Sequence, residues 1–165
     1  MNPIIKYFHG EKEESYIFMM IGVVAFAMAL YFFFALKTSF WKGVAVPFII
    51  VALLEFMVGY TIVTRSPKDI ARVETYLQQA PKRIKTIEIP RMEKVSSNFV
   101  VYRYVEIALI ILGIVLMYSS MQDTFWRGLG LGLFMQASIV LCLDFFAERR
   151  GHIYVLYLQE LIEKI

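Results

Sequence analysis

Three carboxylates and one arginine stand inside otherwise apolar stretches of the sequence. Glu55, Glu106 and Asp144 each fall in a run of mostly apolar residues, and Arg103 lies three positions before Glu106. An ionisable side chain inside a membrane span is costly to bury, so it marks a functional candidate by default. These four residues are therefore the candidate site for binding or for ion transport.

The depth of the carboxylates can be read from the two tryptophans, because indole rings favour membrane interfaces. Glu55 lies 14 residues beyond Trp41, which is about 21 Å along a helix. Asp144 lies 18 residues beyond Trp126, and Glu106 lies 20 residues before it, about 27 to 30 Å away. All three carboxylates are thus expected in the half of the membrane that is remote from the tryptophans.

Arg103 is the expected ion-pair partner of these carboxylates. It lies one helical turn from Glu106, so a structural pair with Glu106 or with Asp144 is expected. Asp144 is also close enough to the membrane boundary to be hydrated. Glu55 either pairs with Arg103 or faces a polar cavity, a partner protein or a polar neighbour such as Ser138.

Metal and catalytic chemistry find little support in the sequence. Asp144, Glu148 and His152 recur at helical spacing on one face, but His9 is the only other histidine and sits in no ligand motif. Cys142 is the single cysteine, so neither a disulfide nor a cysteine metal site can form within the chain. We expect no metal, no cofactor and no enzymatic activity.

Four membrane-spanning helices are predicted to position the candidate residues. The 165 residues are 59% hydrophobic with a mean hydropathy of +0.61, above the ~45–50% apolar content of soluble domains. A helix needs ~20 mostly apolar residues to cross the hydrocarbon core. The sequence therefore predicts an all-α integral membrane protein, a single domain over residues 1–165 built as a four-transmembrane-helix bundle. The four apolar runs are Tyr16–Leu36, Gly43–Val63, Phe99–Met121 and Gly128–Phe146.

The basic residues predict the orientation, since cytoplasmic loops are rich in lysine and arginine. Of the 17 basic residues, only Lys37, Lys42 and Arg127 lie in the two short connections, which leaves 14 on the other side. Both termini and the 64–98 segment are thus expected in the cytoplasm, in a cell inner or plasma membrane. Trp41 and Trp126 are expected at the outer surface. No basic face suited to nucleic acid is evident.

An internal repeat is visible at an offset of 85 residues. Residues 39–43 read Ser-Phe-Trp-Lys-Gly, and residues 124–128 read Thr-Phe-Trp-Arg-Gly. We interpret residues of about 14–80 and 98–165 as two tandem helical hairpins, joined by the linker 64–98. Such hairpins run parallel, related by a pseudo-twofold axis along the membrane normal.

The segments beyond the spans are predicted to be amphipathic cytoplasmic helices. Ser66 and Pro67 are typical of a helix start, so a separate helix is predicted over residues 67–79. Ala80-Pro81 ends it, and residues 82–89 suit an extended or headgroup-associated stretch. A further helix begins at Pro90 and runs into the third span. The fourth span is expected to extend through an apolar stripe that ends at Ile165. We favour helices anchored on anionic lipid, with a packed cap or a docking surface as the alternative.

Two classes of function are compatible with these features. The first is a small membrane-embedded binding protein that acts through another membrane protein, as an accessory subunit or an immunity-type protein against a membrane-acting toxin. Gly128, Gly132, Trp41 and Trp126 are its candidate interface residues, because small residues let another helix approach closely. The alternative is an oligomeric ion- or proton-coupled transporter or channel that uses the intramembrane carboxylates. Ion flux in liposomes separates the two.

Overall fold

A computed structural model describes residues 3–163, so Lys164 and the predicted stripe residue Ile165 lie outside the described residues. Within that range the chain is all-helical, without strands. Four helices are long and apolar enough to cross a membrane, as the hydropathy predicts. The elements are α1 (Pro3–Tyr31), which a π-helical turn continues over Phe32–Leu36; α2 (Ser39–Gln79); a π-helical turn over Ile84–Glu88; α3 (Ile89–Ser119); and α4 (Phe125–Glu163).

The helices are much longer than a bilayer requires. α2 has 41 residues and α4 has 39, which corresponds to about 60 Å against a hydrocarbon core of about 30 Å. Each of these two helices therefore extends well beyond its apolar part. We use 'terminal end' for the end of the molecule at which α1 begins and α4 ends. The opposite end, which holds the two short connections, is the turn end.

The two short connections at the turn end are built alike. Lys37 and Asp123 adopt left-handed backbone conformations, with φ of 57° and 58°. A threonine follows each of them and caps the next helix: Thr38 accepts the N–H of Trp41 at 3.3 Å, and Thr124 accepts the N–H of Arg127 at 3.4 Å. Such caps satisfy backbone donors that have no partner within the helix, so each chain reversal takes only a few residues.

The helices pack in the order α1, α2, α4, α3. α1 packs along α2, α2 along α4, and α4 along α3, whereas no Cα atoms of α1 and α3 come within 8 Å of each other in residues 3–163. α1 also meets α4 toward the terminal end, where Arg150 donates to the carbonyl of Gly10 at 2.9 Å. The bundle is therefore an open row, with α2 and α4 in the middle and α1 and α3 on the outside.

The predicted helix start at Ser66 is wrong, because α2 continues through Pro67 without a break. Packing outweighs the missing proline N–H here: Ser66, Asp69 and Val73 are all buried. Asp69 also pairs with Arg72 at 2.6 Å. The predicted end of this helix before Ala80-Pro81 is confirmed.

The region before the third span also differs from the prediction. Residues 82–89 are helical and not extended, and the helix that crosses the membrane as α3 begins before Pro90. Ile84 and Glu88 are completely buried, so this turn is held by tertiary packing. As the sequence predicts, α3 runs from this region into the third span, and α4 continues beyond the fourth span.

The parts of the helices beyond the spans pack together at the terminal end. They form a hydrophobic cluster, here called the cap, and not separate helices on a lipid surface. Tyr7 of α1 stacks on Tyr154 of α4 at 4.1 Å between ring centroids. This packing agrees with the alternative interpretation, a packed cap. The cap core consists of Ile4, Tyr7, Phe8, Val73, Ile84, Ile89, Met92, Tyr154 and Leu158.

A buried carboxylate ties the cap together. Glu88 is fully buried and accepts bonds from Nη2 and Nε of Arg91, at 2.6 and 3.0 Å. It also accepts the hydroxyl of Tyr154 at 3.3 Å and lies 3.5 Å from Arg72. A buried charge is tolerated only when it is paired and hydrogen-bonded, and these donors from three elements meet that requirement.

Candidate functional site

α3 and α4 approach each other closely at their glycines. A Cβ atom on Gly113 would lie 2.7 Å from the carbonyl oxygen of Gly130, and one on Gly130 would lie 2.6 Å from the carbonyl oxygen of Gly113. Only glycine permits such an approach of two backbones. This contact fixes the register that brings Glu106 of α3 next to Asp144 of α4.

Glu106 and Asp144 are two carboxyl groups that line the same groove between α3 and α4. Glu106 is 6% exposed, and its Oε2 atom has no hydrogen-bond partner in the described residues. An ionised carboxylate can only accept hydrogen bonds, so a bond between the two requires that one of them holds a proton. The pair is thus able to share a proton or to receive a cationic donor.

Arg103 pairs with Glu148 of α4, not with the expected Glu106, Asp144 or Glu55. The arginine side chain is 43% exposed and that of Glu148 is 27% exposed. A long basic side chain reaches from the span toward the polar boundary, and Glu148 stands one turn beyond Asp144 in that direction. Sequence reasoning noted Glu148 only as a member of a face with His152 and missed its role as this partner.

A groove of about 420 Å³ opens between α3 and α4 at this level. Its walls are mostly apolar, with the carboxyl pair and the Arg103–Glu148 pair as the polar groups. The volume lies in the usual range of small-molecule sites. The groove is lined by Phe99, Arg103, Glu106, Ile107, Leu141, Cys142, Asp144, Phe145, Phe146 and Glu148.

Glu55 lies apart from this groove, between α2 and α1. It is 4% exposed, and neither carboxylate oxygen has a hydrogen-bond partner in the described residues. A Cβ atom on Gly22 of α1 would lie 3.4 Å from its Oε2 atom. The expectation that Glu55 is buried among the helices is confirmed, but the expected contacts with Arg103 or Ser138 are absent from residues 3–163.

Gln136 is a second buried polar side chain without a partner. It is 1% exposed, and neither its amide nitrogen nor its amide oxygen is bonded within the described range. Ser138, named above as a polar neighbour expected for Glu55, does not bond to another helix in residues 3–163. Ser138 instead donates to the carbonyl of Phe134 in its own helix, at 2.7 Å.

The predicted interface glycines pack inside the chain. A Cβ atom on Gly128 would overlap the carbonyl oxygen of Phe40, and one on Gly132 would lie 2.8 Å from the carbonyl oxygen of Val44. Both glycines therefore pack at the contact of α4 with α2.

The two tryptophans have different surroundings. Trp41 packs against Phe32 at 4.8 Å between ring centroids. Trp126 is 58% exposed at the turn end and stacks edge-on against Phe125 at 5.8 Å. Of the predicted interface residues, Trp126 alone is largely exposed.

The described chain is all-helical, and four of its helices are long and apolar enough to cross a membrane. Ionisable side chains line a groove between α3 and α4. Comparison with protein-family models, curated proteins and solved structures finds no match.

Proposed function

We propose that this chain is a small membrane-embedded binding protein that acts through another membrane protein, as an accessory subunit or an immunity-type protein. The observation that supports this most is the position of the charged groups. Arg103, Glu106, Asp144 and Glu148 line one groove between the outer helix α3 and its neighbour α4. Ionisable groups at such an edge are accessible to a neighbouring protein in the plane of the membrane.

The small covered area of α3 also supports binding. Within its span, Glu106 and Gly113 are the buried residues among those described. Ile111 and Val115 are 56% and 53% exposed, and α4 is the neighbour that packs along this span. A partner helix could therefore lie against α3 without any rearrangement of the bundle.

Site-specific photo-crosslinking tests this proposal. A photoreactive amino acid at Ile111 or Val115 should yield one defined crosslinked membrane protein in cells of the native host, and matched positions Val23 and Val24 on α1, each 57% exposed, should not. The identified protein and this chain should then form a complex when purified and reconstituted together. Crosslinks to lipid alone at all four positions would contradict the proposal.

We further propose that the chain consists of two tandem hairpins, in parallel orientation, about a pseudo-twofold axis along the membrane normal. Reciprocal contacts at the turn end support this. Gly43 packs on the carbonyl of Phe125, and Gly128 packs on the carbonyl of Phe40. Gly43 and Gly128 are 85 residues apart, and so are Phe40 and Phe125. One rotation therefore exchanges the two contacts, as in an isologous interface.

The proposed placement is a cell inner or plasma membrane with the terminal end in the cytoplasm. The distribution of lysine and arginine supports it. The same orientation places the cap, including Glu88 and its arginines, in the cytoplasm as a possible contact for soluble factors.

An oligomeric ion- or proton-coupled transporter or channel is the second candidate, because Glu55 and Glu106 are buried and neither forms an ion pair within residues 3–163. An open row of four helices needs further copies to enclose a path. Proton and ion flux into liposomes that contain the purified chain distinguishes the two functions. The binding function predicts no flux above that of empty liposomes, and flux that Glu106→Gln abolishes would favour transport.

A further inference from the structure

We infer that the groove between α3 and α4 binds an amine-headed phospholipid, whose primary ammonium group lies between Glu106 and Asp144. The site uses the same charged groups that the proposed function offers to a partner protein, but its ligand is the lipid that already surrounds the chain. Three properties of the groove carry the inference: its apolar walls, an unsatisfied buried oxygen, and an exposed guanidinium beside it.

The walls suit an acyl chain. Phe99, Ile107 and Leu141 line the groove together with Phe145 and Phe146, so apolar surface makes up nearly all of it. Phe145 and Phe146 are 58% and 60% exposed. Sites for apolar ligands combine such walls with a small number of placed polar groups, which is the composition found here.

The floor of the groove requires a hydrogen-bond donor. Glu106 is 94% buried, as its 6% exposure implies, and its Oε2 atom has no partner among the described residues. Asp144 lines the same groove and can only accept when ionised. A primary ammonium group carries one positive charge and three donors, so it can satisfy both carboxyl groups at once.

Arg103 provides the complement for a phosphate group. Its bond to Glu148 uses Nη2, and 43% of its side chain remains exposed. Guanidinium groups bind phosphate through several parallel hydrogen bonds. The carboxyl pair stands about 27 to 30 Å from the level of Trp126 along the helices, so it lies at the headgroup layer of the terminal end.

Other cations fit this site less well. Divalent cations need several oxygen ligands, and no group of three or more potential ligands that could hold a metal occurs in residues 3–163. A choline headgroup carries the charge without an N–H donor, so it leaves the Glu106 oxygen unsatisfied. A glycerol headgroup offers hydroxyl donors without positive charge.

Native mass spectrometry of the purified full-length chain tests the inference. The detergent-solubilised protein is titrated with phosphatidylethanolamine, phosphatidylcholine and phosphatidylglycerol of identical acyl chains. The ethanolamine lipid should bind most tightly, and Glu106→Gln should weaken it about tenfold, the equivalent of one charged hydrogen bond. Asp144→Asn should act in the same direction, and it serves as the test if the first variant does not fold.

The matched control is Glu93→Gln, which removes the same charge from an exposed position on the same helix. It should leave binding of the ethanolamine lipid unchanged. Equal binding of the three headgroups would overturn the inference. An ethanolamine preference that survives both groove variants would overturn it as well.

Discussion

At the scale of single residues, the molecule carries two kinds of buried charge. Glu88 in the cap is surrounded by donors from Arg91, Arg72 and Tyr154. Glu55 is almost as deeply buried and has no partner in the part of the chain that the structure describes. The first arrangement is typical of a structural ion pair. The second is costly, and a residue retained at such a cost is a candidate for function.

Replacing Glu55 with leucine should therefore raise the stability of the folded bundle. It removes a carboxylate without a partner, for which insertion scales give about 2.5–3.5 kcal/mol, and keeps a side chain of similar size. Thermal unfolding in detergent measures the change. Glu55→Gln, which removes only the charge, should give an intermediate value. Lower stability of Glu55→Leu would show that the carboxylate holds a partner in the membrane.

Breaking the Glu88 cluster should have the opposite effect. Glu88→Gln leaves Arg91 partly buried, at 26% side-chain exposure, without its counter-charge. Loss of one partner of a buried ion pair costs about 3–5 kcal/mol, so the melting temperature should fall. Glu93→Gln, at an exposed position five residues further along the chain in α3, is the control. Equal stability of the two variants would mean that the cap does not depend on this charge.

At the scale of elements, close backbone contacts define how the helices meet. α1 packs on α2 through Gly22 and Gly59, α2 on α4 through Gly43 and Gly128, and α3 on α4 through Gly113 and Gly130. Side chains that would hold the helices apart are missing at these points. Association of helices in a membrane depends on such packing, since burial from water contributes little there.

Alanine at Gly43 or at Gly128 should destabilise the protein to a similar degree. Each new Cβ would overlap a backbone carbonyl of the other helix, and overpacking costs about 1–3 kcal/mol. Gly151→Ala in α4 is the matched control, because its Cβ would make an ordinary contact of 3.6 Å with Met92. Similar losses for the two variants would support the pseudo-twofold relation, and a loss in only one would contradict it.

Much of the element scale could be predicted from the sequence, and the exceptions have a common physical cause. The four spans follow from hydropathy, and the helix end before Ala80-Pro81 follows from local proline chemistry. The helix start at Ser66 and the partner of Arg103 could not be predicted correctly. Both depend on register between helices: Val73 packs in the cap, and Glu148 lies across from Arg103. Sequence patterns within one helix do not contain that register.

At the scale of the whole molecule, the chain is asymmetric along the helix axes. Short capped connections stand at one end, and a packed cap with arginine-rich ion pairs stands at the other. This asymmetry agrees with the lysine and arginine distribution on which the orientation rests. The open row of helices, in contrast, exposes two apolar faces to the lipid.

Cysteine labelling tests the orientation. In a Cys142→Ser background, Thr38→Cys or Asp123→Cys should react with a membrane-impermeant maleimide in intact cells, because both positions lie in the exposed connections. Ala80→Cys and Glu160→Cys should react only after the membrane is opened. The reverse pattern would overturn the proposed topology.

The continuity of α2 has a mechanical consequence. Its 41 residues form one helix from Ser39, which Thr38 caps, to Gln79, so helical backbone continues from the apolar part across Pro67 into the cap. A helix behaves as a stiff rod over such a length, and a sideways force at one end must tilt the whole rod. We therefore expect a sideways load on the cap to tilt α2. The tilt would displace the turn end at the opposite membrane surface.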